Sequence, residues 1–341
     1  MKLPEVSFYL FGMGDRRKFL YKQGKLIDAL TGEIVREWDM VSEIISPADY
    51  RVELKTISGK KTIIKEDEKG VWLEENEHRI GLDESHINLP AFAGSNYAPL
   101  LRILHHEILI NIVNGKPLPN FLVYLKPWYR DSAMMCMCLA TTNNLHLVKD
   151  WICGLREPFD RNNGGNCEPD NLGQALYMIS LVSDKSHPLV ETILRAIPKC
   201  RKGNYIAGIT DGAERPVYQT KWLKYGLRCL GLDDPYIIPD IYDTYSALFW
   251  MDYRKAHVNG QAISVDGKEN YPYLGWAEAH FHCWPPPLAL SGHKYPLTWE
   301  ANASFAIYEG ISLISQEYVK RRICAPHTWH AAEMFLYLLD S

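Results

Sequence analysis

The stretch from Asp131 to Ala140 constrains this chain most. It reads Asp-Ser-Ala-Met-Met-Cys-Met-Cys-Leu-Ala, small or apolar on every side after its first two residues. A helix without a polar face does not lie on a surface; other elements must surround it. Its entrance is Trp128-Tyr129-Arg130-Asp131, which sets a guanidinium and a carboxylate at the mouth of that buried helix. Buried charges are costly unless they are paired or used. As caps, Asp131 or Ser132 accepts the first free backbone N–H groups. As a pocket, an aromatic floor beside a planar donor fork and an acceptor holds neighbouring hydroxyls of a polar ligand.

What surrounds that helix divides into two parts. Residues 1–92 are expected to form an antiparallel β region. Residues 50–57 alternate with period two, Ser58-Gly59-Lys60-Lys61 turns the chain back, and Thr62-Ile63-Ile64-Lys65 and Gly70-Val71-Trp72-Leu73 follow. No catalytic cluster lies there, and the region reads as a flank or lid. After the loop at residues 89–96 the period changes. Residues 93–341 are expected to be the catalytic-type part. Helices are predicted near 97–114, 131–141, 145–155, 171–183, 188–197, 218–230, 240–257, 273–283, 298–315 and 328–339. Apolar helices such as 131–141 and 171–183 alternate with amphipathic ones such as 145–155 and 188–197. Inner and outer helices in αα-hairpins close into an α/α toroid, so the expected class is mainly α, an α/α toroid preceded by the β region. Roughly ten helices fall short of six full hairpins, and no sequence repeat sets a register.

In such a ring the loops entering inner helices share one face. Here they carry carboxylates and aromatics in succession: Trp128-Tyr129-Arg130-Asp131, Glu168-Pro169-Asp170, Asp211-Gly212-Ala213-Glu214, Trp276-Ala277-Glu278, Leu297-Thr298-Trp299-Glu300 and His327-Thr328-Trp329-His330. Acidic residues at helix starts suit the helix dipole, but caps do not require aromatics. Paired carboxylates with aromatic platforms are what glycosidic-bond cleavage needs. A net charge of -4 and a pI near 6.3 give no basic surface for nucleic acid. No apolar run is long enough to span a bilayer, and no secretory signal follows Met1. The eight cysteines lack zinc-site spacing and read as reduced thiols of a cytoplasmic protein. No metal or organic cofactor is expected, since carboxylates suffice.

Pro127-Trp128-Tyr129-Arg130-Asp131-Ser132-Ala133 resembles the W-x-R-D-[SA]-A signature of glucoamylase-type glycoside hydrolases, which have a six-hairpin α/α fold. Glu168-Pro169-Asp170-Asn171-Leu172-Gly173 is similar to that family's Q-L-D-x-x-G element. Ala277-Glu278, followed by Tyr295-Pro296-Leu297-Thr298-Trp299, resembles its A-E-Q and P-L-T-W elements. The resemblance covers roughly residues 121–340. It implies an inverting hydrolase of a small oligosaccharide or glycoside with Glu278 as general base. It places Asp211, in Gly208-Ile209-Thr210-Asp211, where the family has a G-I-W-E general acid. Asp211 is shorter than that Glu, Thr210 replaces its Trp, and Asp211-Gly212 is also a common turn pair. Glu168 and Glu214 are the substitute acids. Trp128, Tyr129, Arg130, Asp131, Asp170, Trp276, Trp299 and His327 are the substrate-binding candidates. Two alternatives stay open: a carbohydrate-binding relative without catalysis, and a toroid epimerase or lyase using His280, His282 and His327.

Overall fold

The computed structural model describes residues 3, 5–76, 78–241, 296–303 and 305–339. The predicted helix near 273–283, and that near 240–257 beyond its first two residues, lie outside the described residues. So do Trp276, Glu278, His280 and His282.

Two antiparallel meanders open the chain. Strands β1 (Tyr9–Phe11), β2 (Phe19–Lys22), β3 (Lys25–Asp28) and β4 (Ile34–Glu37) form a four-stranded sheet. Strands β5 (Met40–Ser46), β6 (Arg51–Thr56), β7 (Lys61–Asp67), β8 (Gly70–Glu75) and β9 (His78–Asp83) form a five-stranded one. The period-two pattern sets the register: Val52 lies opposite Ile64, and Ile64 opposite Leu73. The buried sides of both sheets meet in one cluster, with Val52, Leu54, Ile64, Val71 and Leu73 against Tyr9, Phe11, Phe19, Tyr21 and Leu26. On the five-stranded sheet Lys55 and Lys61 lie on the exposed side, whereas Glu66 points inward and pairs with Arg16 at 2.9 Å.

The helices pack as a row. Helix α1 (Ala98–Leu109) lies against α8 (Thr328–Leu339), α8 against α2 (Tyr129–Thr141), α2 against α4 (Asp170–Ser180), and α4 against α6 (Pro216–Cys229). Helices α3 (Lys149–Cys153) and α5 (Pro188–Cys200) lie against α4, and α7 (Gln316–Arg321) precedes α8. Helix α2 is buried along nearly its whole length, as its composition requires. Gly173 and Gly226 bring α4 and α6 together. A Cβ on Gly173 would sit 2.1 Å from the Trp222 carbonyl carbon, and one on Gly226 2.5 Å from the Gly173 oxygen. Two-residue ribbons link the helices: β10 (Ile112–Val113) with β11 (Lys116–Pro117), β12 (Arg201–Lys202) with β13 (Tyr205–Ile206), β14 (Ile209–Thr210) with β15 (Ala213–Glu214), and β16 (Glu300–Ala301) with β17 (Ile323–Cys324).

This corrects the mainly α toroid expected from the sequence. The described residues are mixed, 34% helix and 22% strand, with eight α-helices following two substantial sheets; they are not a six-hairpin ring. Two predicted helices dissolve. Residues 145–155 contain a 3-10 turn at Leu145–Leu147 and the short α3, separated by Val148 in a non-helical conformation. Residues 298–315 hold β16 and a 3-10 turn at Gly310–Leu313 instead of a helix. There Glu300 and Ala301 find backbone partners in Cys324 and Ile323, and Asn302 takes a left-handed φ of 57° that ends regular structure. The β region packs directly on the helical part. One apolar cluster joins Phe8, Leu10, Leu20 and Ala29 to Ile110, Phe121, Trp299 and Ile323; another joins Met13, Tyr50 and Ile87 to the helix row. No helix among the described residues is long and apolar enough to cross a membrane. The seven described cysteines form no disulfide.

Candidate functional site

Arg130 stands in the first turn of α2, one residue after Tyr129, whose backbone N–H is accepted by Asp160 Oδ2 at 2.6 Å. The cap therefore comes from a neighbouring loop. Ser132 does not cap; its hydroxyl donates to the Pro117 carbonyl. Arg130 points toward α4, where it donates from Nη2 to Glu168 at 2.9 Å and from Nε to Asp170 at 3.2 Å. Its opposite flank faces the Trp329 ring, 5.5 Å from the centroid. Glu168 uses its other oxygen on Asn163 Nδ2 at 2.9 Å and on the backbone N–H of Asp211 at 2.7 Å. Asp170 accepts from the Thr210 hydroxyl at 2.6 Å and from Gln174 Nε2 at 2.9 Å. All three charged side chains are buried, at 5%, 3% and 0% exposure. Burial pushes the Glu168 carboxyl above its ordinary value, with Arg130 opposing and Asp170 adding to the rise. The network joins α2, α4 and the β14–β15 ribbon, and it meets the demand that buried charges be paired.

Asp131, the next residue, faces the other way. Its Oδ1 is 3.8 Å from His327 Nε2, and the same nitrogen is 3.0 Å from Glu300 Oε2. Glu300 is carried by β16 and His327 by the turn between β17 and α8, so the strand pairing across 300–301 and 323–324 brings them together. Tyr124 donates weakly to Glu300 Oε2 at 3.5 Å, and its ring meets Trp128 edge-on and His327 nearly so. The His330 ring lies 4.6 Å from that of His327, tilted by 43°, with Nδ1 3.2 Å from the Trp299 carbonyl oxygen. Asp131 and His327 are 6% and 4% exposed, whereas the Glu300 side chain keeps 20%. Asp131 Oδ1 and His327 Nδ1 are buried without a hydrogen-bond partner.

These surroundings drive the proton affinities apart. Burial raises Asp131 to about 6 against the opposing pull of His327 and Arg130. Burial also acts upward on Glu300, but the His327 charge and hydrogen bond, with His330 and Tyr124, overcome it and hold that carboxyl at about 2. Burial alone would lower His327; Glu300 and Asp131 reverse this and raise it. His330, buried beside a second imidazole, is pushed down to about 3.

The remaining predicted residues separate. Asp211 is exposed at the tip of the β14–β15 hairpin, with φ of 50° and Gly212 at 79°, the Asp-Gly geometry of a tight two-residue turn. Glu214 is exposed and pairs with Lys202. Of the four catalytic candidates, Glu168 is locked in the Arg130 network, Asp211 and Glu214 share the hairpin, and Glu278 is outside the described residues. Tyr129 donates from its hydroxyl to the Glu157 carbonyl at 2.7 Å and serves packing. Trp299 is buried next to Glu300 in the core that crosses between sheets and helices. The sequence reading singled out Asp131 and His327 but assigned no role to Glu300 or Tyr124. A carboxylate directly after an apolar Leu-Thr-Trp run was the available signal. Among the described residues no group of three or more His, Cys, Asp and Glu side chains is arranged to hold a metal ion. No family model matches the chain, and no curated protein or solved structure does.

Proposed function

We propose that the chain is a glycoside hydrolase acting on a small glycoside through two carboxylates, with Asp131 and Glu300 at the reacting bond. One observation carries the reading: two acids meet at a single imidazole nitrogen, one held near 6 and the other near 2. Carboxyl groups whose environments separate their proton affinities are the acid and the base of such a reaction. Asp131 keeps its proton until mildly acidic pH, and its Oδ1 has no other partner, so it gives that proton to the leaving oxygen. Glu300 is ionised throughout and more exposed, so it polarises the attacking water. His327 pairs with Glu300 at 3.0 Å and lies 3.8 Å from Asp131. Tyr124 and Trp128 supply apolar surface beside them for a sugar ring.

A second reading, sugar binding without hydrolysis, draws support from Glu168, Asp211 and Glu214, which are occupied or exposed and form no acid–base pair. One experiment separates the two. The protein is assayed against aryl glycosides and α-linked disaccharides, with Asp131→Asn and Glu300→Gln alongside. Hydrolysis by the unaltered chain is expected, with kcat/KM reduced at least about 100-fold in each variant. Activity should be present below pH 6 and decline as pH rises through about 6, because the acid is then deprotonated. Saturable sugar binding without turnover would replace hydrolysis by the binding reading.

A further inference from the structure

Two chain segments carry Glu300 and His327, and besides the β16–β17 pairing and the His330 contact to the Trp299 carbonyl each has a hold outside the site. The first arm is Leu297-Thr298, just before Glu300. Glu107, near the C-terminal end of α1, accepts from the Leu297 backbone N–H at 2.7 Å, from the Thr298 N–H at 3.1 Å and from the Thr298 hydroxyl. The second arm is Pro326-His327-Thr328. Asn120 Nδ2 donates to the Pro326 carbonyl at 2.8 Å, and the Thr328 N–H donates to the Pro119 carbonyl at 2.9 Å, so the backbone is fixed on both sides of His327. Asn111 ties the two holds together. Its Nδ2 donates to the Glu107 carbonyl at 2.9 Å, and its Oδ1 accepts from the Phe121 N–H at 2.9 Å, next to Asn120. Glu107, Asn111 and Asn120 are all at least 98% buried. Among the described residues no cation accompanies Glu107; its partners are the backbone and hydroxyl of a segment 190 residues away. Burial pushes that carboxyl up to about 8 against the pull of these hydrogen bonds, and an apolar residue in its place would leave the two buried N–H groups unpaired.

We propose that Glu107 and Asn120, joined through Asn111, are positioning residues that set the Glu300–His327 contact. This rests on the reading of that pair as the reacting centre, but its test does not depend on turnover. The groups facing His327 are Glu300 from β16, Asp131 from α2, His330 from α8 and Tyr124 from the segment before α2. Of these, Glu300 lies just after the segment that Glu107 holds, in addition to its own pairing with Cys324. Loosening either arm lengthens the contact to Glu300, while burial of the imidazole stays.

The experiment follows the His327 imidazole by NMR titration in the full chain, its signal assigned by loss in His327→Gln. Glu107→Gln and Asn120→Ala are each expected to lower the His327 pKa toward the ordinary histidine value. Thr298→Val removes one hydrogen bond from Glu107 with little change of shape, and it should move His327 the same way by less. Asn144→Ala, in a buried network with Asn88, His105 and Thr142, is the control: it should destabilise the fold and leave His327 unmoved. With a hydrolysed substrate in hand, the arm variants should lose kcat with KM nearly unchanged. An unmoved His327 in the folded variants, Thr298→Val included, overturns the assignment, and so does an equal shift in Asn144→Ala. If the unaltered chain hydrolyses no glycoside, the functional reading fails while the titration still decides the positioning.

Discussion

Arg130 is held between Glu168 and Asp170 with 5% of its side chain exposed. Whether that triad stabilises the fold relative to an apolar substitute depends on the balance of desolvation and attraction, and that balance is often near zero. Removing the guanidinium alone is a different matter, because two carboxylates stay behind in the dry interior. Arg130→Met is therefore expected to destabilise the protein by about 3–5 kcal/mol, read from denaturant unfolding. A ligand-binding Arg130 would instead lose ligand affinity with little change in stability. The sequence already demanded partners for Arg130 and Asp131, since both open an apolar helix. It did not say which partners. Glu168 and Asp170 lie 38 and 40 residues downstream, and nothing local distinguishes them from ordinary helix-start acids. Asp211 shows the opposite case: its own neighbour Gly212 already announced the turn that it occupies.

At the scale of elements, apolar content proved a better guide than helix bounds. Helix α2 follows its composition, while residues 298–315 do not form the helix their residue types favour, because Glu300 and Ala301 pair with Cys324 and Ile323. Such pairing is a tertiary choice that overrides local propensity. The α4–α6 contact is equally invisible to pattern reading, since it depends on two glycines that sequence rules treat as weak points in a helix. Their effect on the site is direct: α4 begins at Asp170, so its distance from α6 sets where Asp170 stands relative to Arg130 and Thr210. Gly173→Ala puts a methyl group 2.1 Å from main-chain carbon, where no side chain can give way. A loss of about 3 kcal/mol or more is expected from thermal or denaturant unfolding, at the upper end of overpacking because backbone itself must move. Gly59→Ala, whose Cβ meets nothing within 4 Å, is the contrasting substitution. Its φ of 80° makes it strained, so its smaller loss is purely conformational.

At the scale of the whole molecule, the change of periodicity near residues 89–96 marks a change of secondary structure more clearly than a change of core. The hydrophobic clusters cross it, and so do hydrogen bonds: the Gly14 N–H donates to the Leu109 carbonyl at 3.0 Å, and His106 Nε2 lies 2.8 Å from the Leu10 carbonyl. His106 also stacks on the Tyr9 ring at 4.7 Å, and burial pushes it down to about 4, so it is neutral in the fold and its hydrogen bond to Leu10 is a donated N–H. Cutting the chain at this boundary would expose Phe8, Leu10 and Leu20 on one side and Ile110, Phe121 and Leu122 on the other. It would also leave His106 facing water where it now stacks on Tyr9. Independent folding units keep their cores to themselves; these two do not. Unfolding of the full chain should therefore follow one cooperative transition, with sheet and helix signals losing structure at the same temperature. Residues 93–341 expressed alone should aggregate or bind a hydrophobic dye. Two separated transitions, or a soluble and cooperatively folding 93–341 fragment, would show that α1 and the Glu107 hold it carries stand without the β region.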